Sequence, residues 1–470
     1  MEQISCDLCI LGAGSAGLSL AAGAAQMGAS VVLLERGAMG GDCLNTGCVP
    51  SKALIAAANR AQGIRAGGLG IKGQEPSVNF AEVMGHVRGA IATIAPHDSQ
   101  ERFEGLGVRV IRAHGRFVAP DRVETKACAI TARRFVIATG SSPAVPPVPG
   151  LPDAPYLTNE TLFDLQALPE HLIILGGGPV GLEMAQAFRR LGARVTVIEA
   201  ARALGREDPD LAVPLTDALR AEGIEILEQT LVERVRTLTG EVVAETSGGP
   251  VAGSHLLVAA GRVPNTGDLG LDTAGIRHDR RGITVDAGLR TTNRRVYAIG
   301  DVAGQGQFTH LAGYHASVIA RSILFGLPAK ARHDHIPRVT YTDPELAQIG
   351  PTEAEARAQH GARLEVLRVP FGGNDRAVAQ DTTAGQLKLM VLRGRPVGVS
   401  ILGPDAGELI APWALVLANR LKLKAVSDTV LPYPTLGEIN KRAAGAYFSP
   451  RLFDSPLVKK VVAFVQRHIP

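Results

Sequence analysis

Residues 5–36 read "SCDLCILGAGSAGLSLAAGAAQMGASVVLLER", and the order of their parts decides the fold class. An apolar run leads into Gly12-Ala-Gly14-Ser-Ala-Gly17, an alanine-rich stretch follows, and a second apolar run ends at Glu35, 18 residues past Gly17. Strand, glycine loop, helix, strand and terminal acid in this order predict a dinucleotide-binding βαβ unit. Gly12 permits the tight turn, Gly14 lets the backbone approach a pyrophosphate, and Gly17 brings helix and strand close. The helix N-terminus then faces negative charge, and Glu35 can accept hydrogen bonds from ribose hydroxyls.

The unit recurs at 171–200, "HLIILGGGPVGLEMAQAFRRLGARVTVIEA", with Gly176, Gly178 and Gly181 and an acid, Glu199, again 18 residues past the last glycine. Two dinucleotide sites are therefore expected. Glu199 would repel the extra 2′-phosphate of NADP and favours NADH, with Arg194, Arg202 and Arg206 nearby as a countervailing signal. Three short apolar runs end in small or acidic residues: "FVIATGSSP" at Thr139-Gly140, "LLVAAGRVPNT" at Gly261 and "VYAIGDVAG" at Gly300-Asp301. Strands that stop against a cofactor end this way, and Asp301 would bond a ribityl hydroxyl. The predicted fold class is α/β, with two Rossmann-like dinucleotide-binding domains and a C-terminal α+β domain.

A chain of 470 residues exceeds one ordinary core and implies several domains with clefts between them. The net charge of +4 is mild, and the Lys and Arg residues are scattered, which argues against a nucleic-acid partner. No apolar run reaches the roughly 18 residues of a membrane span. The chain opens directly on a strand-like run without a basic and apolar leader, so a cytoplasmic location is expected.

Residues 40–52, "GGDCLNTGCVPSK", place two of the five cysteines, Cys43 and Cys48, with four residues between them. A disulfide closing so small a loop constrains the unfolded chain little, so its value would lie in turnover. The run after Pro50 looks helical, and a helix N-terminus can depress a thiol pKa. Zinc is the rival reading, but neither a second cysteine pair nor a nearby histidine completes a tetrahedron. Cys6 and Cys9 also form a CxxC, yet in a strand their offset points them to opposite faces, as buried spectators. Cys128 reads as a packing residue.

With these motifs in hand, the chain resembles the FAD-dependent pyridine nucleotide–disulfide oxidoreductases, the superfamily of glutathione reductase, dihydrolipoyl dehydrogenase and mercuric reductase. The resemblance implies that Cys43 and Cys48 form a redox-active disulfide, with Cys48 on the flavin side and Cys43 exchanging with substrate. It implies FAD held by Gly12, Gly14, Gly17, Glu35, Lys52, Thr139, Gly140, Gly300, Asp301 and His310, and NAD(P)H held by Gly176, Gly178, Gly181, Glu199 and Gly261. Lys52 and Glu183 would pair beside flavin and nicotinamide. It also implies a homodimer, with residues 1–149 and 270–335 building the FAD domain, 150–269 the NAD(P) domain and 336–470 the dimerisation domain.

Thiol-disulfide members carry a C-terminal His-Pro-Thr-Leu-x-Glu, whose histidine is a base. Here "LPYPTLGEINKR" puts Tyr433 in that place and keeps Glu438. An unperturbed tyrosine, with a pKa near 10, is a poor base at pH 7, and His310 is a possible substitute. Mercuric reductase is similar in having tyrosine here, and Tyr156 in "PYLTNETL" matches its second tyrosine. Its C-terminal cysteine pair has no counterpart after Cys128. A mercuric ion held by Cys43 and Cys48 is the leading acceptor, followed by a lipoyl-type disulfide and a quinone, and a redox-sensing role is the non-enzymatic alternative. No structural metal is expected. The tail 455–470 spaces its apolar residues as an amphipathic helix, which packs on its own dimer or touches a membrane surface.

Overall fold

The computed structural model describes residues 1–238 and 240–469. Pro470, the last residue of the expected tail, lies outside the described residues. The chain divides into two compact units. The first comprises residues 1–66, 73–200 and 227–333, and the second 67–72, 201–226 and 334–470.

In the first unit, the first glycine-loop segment folds as strand Glu2–Leu11, helix Ser15–Gln26 and strand Val31–Leu34. The strands run parallel, with Leu8 opposite Val31 and Leu11 opposite Leu34. Val108–Ile111 extends the sheet beyond Val31–Leu34. On the other side Cys128–Ile137 pairs parallel with Glu2–Leu11, and Val296–Ala298 pairs with its far half. All of Val31–Leu34 is buried, as expected of a parallel strand covered on both faces. The second βαβ repeats the arrangement: His171–Leu175 lies between Arg194–Ile198 and His255–Val258, with Tyr156–Leu157 beyond. The helix Pro179–Leu191 connects its first two strands.

One expectation fails in the first strand. Cys6 and Cys9 border the same apolar layer instead of opposite faces. The N–H groups of Asp7 and Leu8 both donate to the Ser30 carbonyl, and the alternation changes phase there. The paired strand changes phase at the same level, with Ala132 and Phe135 both in this layer, so the register between the two strands is kept. Burial pushes the Cys6 thiol up to about 11 and the Cys9 thiol well above the usual thiol range, which leaves both chemically quiet.

The second unit holds a five-stranded antiparallel sheet in the order Pro337–Thr340, Glu345–Ile349, Arg395–Gly403, Gln386–Leu392, Glu365–Pro370. Trp413, Phe371 and Ile439 fill its core. The helix Pro209–Ala221 belongs to this unit, and a buried lysine explains the attachment. Lys388, 1% exposed, sets its ammonium 3.1 Å from Asp208 at the helix start and 3.1 Å from Glu353, and also bonds Asp210. Among the described residues no helix is long and apolar enough to cross a membrane.

Candidate active site

The two glycine loops have the shape that a dinucleotide requires. Gly12 has φ +110°, and a Cβ there would lie 2.3 Å from the Ala138 carbonyl oxygen; a Cβ on Gly17 would lie 1.9 Å from that of Gly12. Gly176 and Gly181 repeat this, with clashes of 2.5 Å on Ala259 and 2.0 Å on Gly176. By contrast, a Cβ on Gly14 would meet only the Gly41 Cα at 3.9 Å, and one on Gly178 nothing within 4 Å. Both precede helices whose first turns carry no side-chain cap. Open space against uncapped N–H groups suits a pyrophosphate, so these residues fit FAD and NAD(P)H.

The terminal acids hold their own loops. Glu35 accepts from the Ala13 N–H at 2.7 Å and the Gly37 N–H at 2.6 Å, and Glu199 accepts from Gly177 at 2.7 Å. A cavity lined by Gly12, Glu35, Thr139 and Asn265 lies over the first loop. Thr139 and Asn265 lock together, hydroxyl to carbonyl at 2.7 Å and amide to carbonyl at 2.9 Å. Gly140, at φ +68°, accepts from the Asn265 N–H at 2.9 Å, and Gly261, at φ +118°, accepts from Ala144 at 2.9 Å.

At Gly300-Asp301 the chain enters a short helical turn. Asp301 accepts a hydrogen bond from Ser141 at 2.6 Å, while burial pushes its carboxyl above the usual range against the pull of Ser141 and Arg262. Gly300 donates to Nδ1 of fully buried His315 at 3.2 Å, and Nε2 of His315 meets Nε2 of His333 at 3.0 Å. Because Nδ1 accepts, the neutral ring carries its proton on Nε2 and donates it to His333. Burial pushes His315 down to about 4, which keeps it in that neutral form. His310 stacks on Phe308 with ring centroids 5.3 Å apart.

Cys43 lies in the short helix Gly41–Asn45, and Cys48 opens the helix Cys48–Ala66. Both are free thiols, and their acidities diverge. A hydrogen bond from Cys43 is the largest influence holding Cys48 down to about 6; the Thr309 hydroxyl at 3.4 Å and the Lys52 charge add to it, against burial and Asp42. The same bond, with burial, pushes Cys43 well above the usual thiol range. The reduced pair is therefore one thiolate, on Cys48, and one thiol, on Cys43. Lys52, one turn into the same helix, bonds buried Glu183 at 2.6 Å.

Four residues that the sequence did not single out complete the surroundings. Asp42 accepts from the Thr46 hydroxyl at 2.9 Å and the Asn159 amide at 2.8 Å, stapling the loop between the cysteines. Arg262 faces the same carboxylate at 3.3 Å and donates to Ser141 through Nε at 2.8 Å. Thr309 is the fourth. Each adjoins a motif residue, Cys43, Gly261 or His310, except Asn159, three positions past Tyr156. Tyr156 itself packs against the apolar layer of the second βαβ unit, and the hydrogen bonds from this segment to the cysteine loop come from Asn159. In the second unit, Tyr433 is 70% exposed and donates to Asp375 at 2.9 Å, which pushes its phenol up. Glu438 accepts from the Thr435 N–H at 3.3 Å.

Residues 6–316 match the family described as pyridine nucleotide-disulphide oxidoreductase, and residues 336–444 match its dimerisation domain. The chain belongs to this family. It is 36% identical over 462 residues to a mercuric reductase of Streptomyces lividans, covering 94% of this chain and 96% of that protein. A dihydrolipoyl dehydrogenase of Geobacillus stearothermophilus is 32% identical over 457 residues, covering 94% and 96%. Among solved structures, the HOCl-induced flavoprotein disulfide reductase RclA of Escherichia coli, as a Cu(II) complex, superposes with a TM-score of 0.84 at 30% identity, covering 93% of this chain and 99% of that one. The family binds FAD and uses NAD(P)H, and the dimerisation domain supports a homodimer.

Proposed function

We propose that the chain is an NAD(P)H-dependent reductase that passes two electrons through FAD to the Cys43–Cys48 disulfide and on to a thiophilic metal ion, Hg(II) foremost. The unequal acidities of the two cysteines carry this reading. FAD supplies the relay between a hydride donor and the disulfide; residues 1–149 and 270–335 would hold it, 150–269 would hold the nicotinamide dinucleotide, and 336–470 would form the dimerisation domain with its C-terminal helical tail. Glu199, acidic where a 2′-phosphate would sit, favours NADH.

Reduction by NADH gives the Cys43 thiol and the Cys48 thiolate, with NAD⁺ as the other product. Lys52 stabilises the thiolate, and buried Glu183 holds Lys52 in place. A soft cation then binds the two sulfurs. Cys43 loses its proton to solvent, the sulfurs return to the disulfide, and Hg(II) leaves as Hg(0); charge and electrons balance. Such an acceptor asks for no base to deprotonate an incoming dithiol. That suits Tyr433, whose phenol is weaker as an acid than an ordinary one and lies far above neutrality.

Anaerobic NADH titration followed by turnover with Hg(II), dihydrolipoamide plus NAD⁺, glutathione disulfide and a quinone tests the proposal. The expected result is Hg(II) reduction that disappears in Cys43→Ser. Lipoamide activity with the same dependence would transfer the assignment to the dihydrolipoyl dehydrogenase branch. Quinone reduction alone, surviving Cys43→Ser, would make the protein a flavin diaphorase.

A further inference from the structure

The tail helix Pro456–His468 buries none of its residues. Leu457 is 71% exposed, Val461 and Val462 53% each, and Phe464 59%. At about 100° of rotation per residue these four lie on one side, together with half-buried Val458 and Val465. Leu452 and Phe453, exposed at the end of the preceding helix, continue the apolar run. Lys459 borders this stripe along one edge, and Lys460 and Arg467 border it along the other, while residues 456–468 contain no acid.

We propose that this helix seats the protein on an anionic phospholipid surface. An amphipathic helix with cations flanking an apolar stripe lies in the plane of a bilayer, its apolar side about 5–10 Å into the headgroup boundary. The helix has 13 residues, too few to span the hydrocarbon but enough to lie along the surface. Its charge selects the occupant. Apposing this stripe to a second copy would bring Lys459, Lys460 and Arg467 against their equivalents, with no carboxylate on either helix to pair them. Anionic headgroups place the opposite charge at those edges, and basic residues near such a surface each add to binding. The family's dimerisation match ends at residue 444, so the helix lies outside the segment that the match assigns to subunit pairing.

The test is flotation of the FAD-loaded full-length protein with vesicles of phosphatidylcholine alone or mixed equally with phosphatidylglycerol, alongside mass measurement in solution. Wild type is expected to float with the anionic vesicles and not with phosphatidylcholine. The double variant Lys459→Glu/Lys460→Glu, and separately Val461→Ser/Phe464→Ser, should each lower the bound fraction by about tenfold or more. Both should keep the wild-type mass and full reduction of the flavin by NADH, which shows that they are folded. Absence of flotation, flotation that the substitutions leave unchanged, or dissociation of the apolar variant into a smaller species would overturn the proposal, the last by making the stripe a subunit contact.

Discussion

Around Cys48, single charges act with opposite signs. The Cys43 hydrogen bond and Lys52 favour the thiolate, while Asp42 opposes it and Arg262 lies against Asp42. Asp42→Asn should therefore lower the Cys48 pKa below about 6, and Arg262→Met should raise it by exposing an uncompensated carboxylate. Each change is expected to be about half a unit to one unit, and the double variant should return close to wild type. Alkylation rates of the NADH-reduced enzyme as a function of pH would measure all three. In wild type the thiolate is formed above about pH 6 and is lost as pH falls through that value, so reactivity at Cys48 should decline on the acid side. Cys43→Ala removes the largest stabilising contact and should move this transition by one unit or more toward the ordinary thiol value.

The two βαβ elements are near copies, and the same substitution should have separable consequences in each. Gly176→Ala puts a Cβ 2.5 Å from a carbonyl oxygen at φ +115°, and Gly12→Ala puts one at 2.3 Å at φ +110°. Strain of about 1–3 kcal/mol, plus the clash, would displace the loop from its ligand. Gly176→Ala is expected to retain FAD while its reduction by NADH slows at least about tenfold at low NADH. Gly12→Ala should instead be purified with little flavin. Flavin absorbance and stopped-flow reduction distinguish the two, and equal loss of flavin in both would contradict the assignment of separate sites.

In the whole molecule, the second unit depends on a charge cluster whose centre, Lys388 and Asp208, is shut off from water. Lys388 bonds Asp208, Asp210 and Glu353, while Arg368 bridges Asp210 at 3.0 Å and also reaches Glu353. Removing only the cation leaves Asp208, 1% exposed, without its counter-charge. Lys388→Met should cost about 3–5 kcal/mol. Urea unfolding followed through Trp413, the chain's one tryptophan and part of this unit's core, would register the loss.

The nucleotide loops, the paired cysteines and the α/β class were legible in the sequence because their requirements are local. A positive φ, a backbone contact that forbids Cβ and an acid at the next strand end recur within some thirty residues, so spacing alone expresses them. The alternation that misplaced Cys6 is local too, but it changes phase at Asp7, where two successive N–H groups share the Ser30 carbonyl, without a compositional mark. What surrounds the cysteines was decided only by tertiary structure. Lys52 meets Glu183 across 131 positions, Cys48 meets Thr309 across 261, and Arg262 reaches Asp42 from the strand paired with Ser141–Pro143. Lys388 likewise finds Asp210 across 178 positions. The sequence by itself determined which groups can carry the redox chemistry. Their acidities depend on distance and burial, which exist only once the sheets have brought remote residues together.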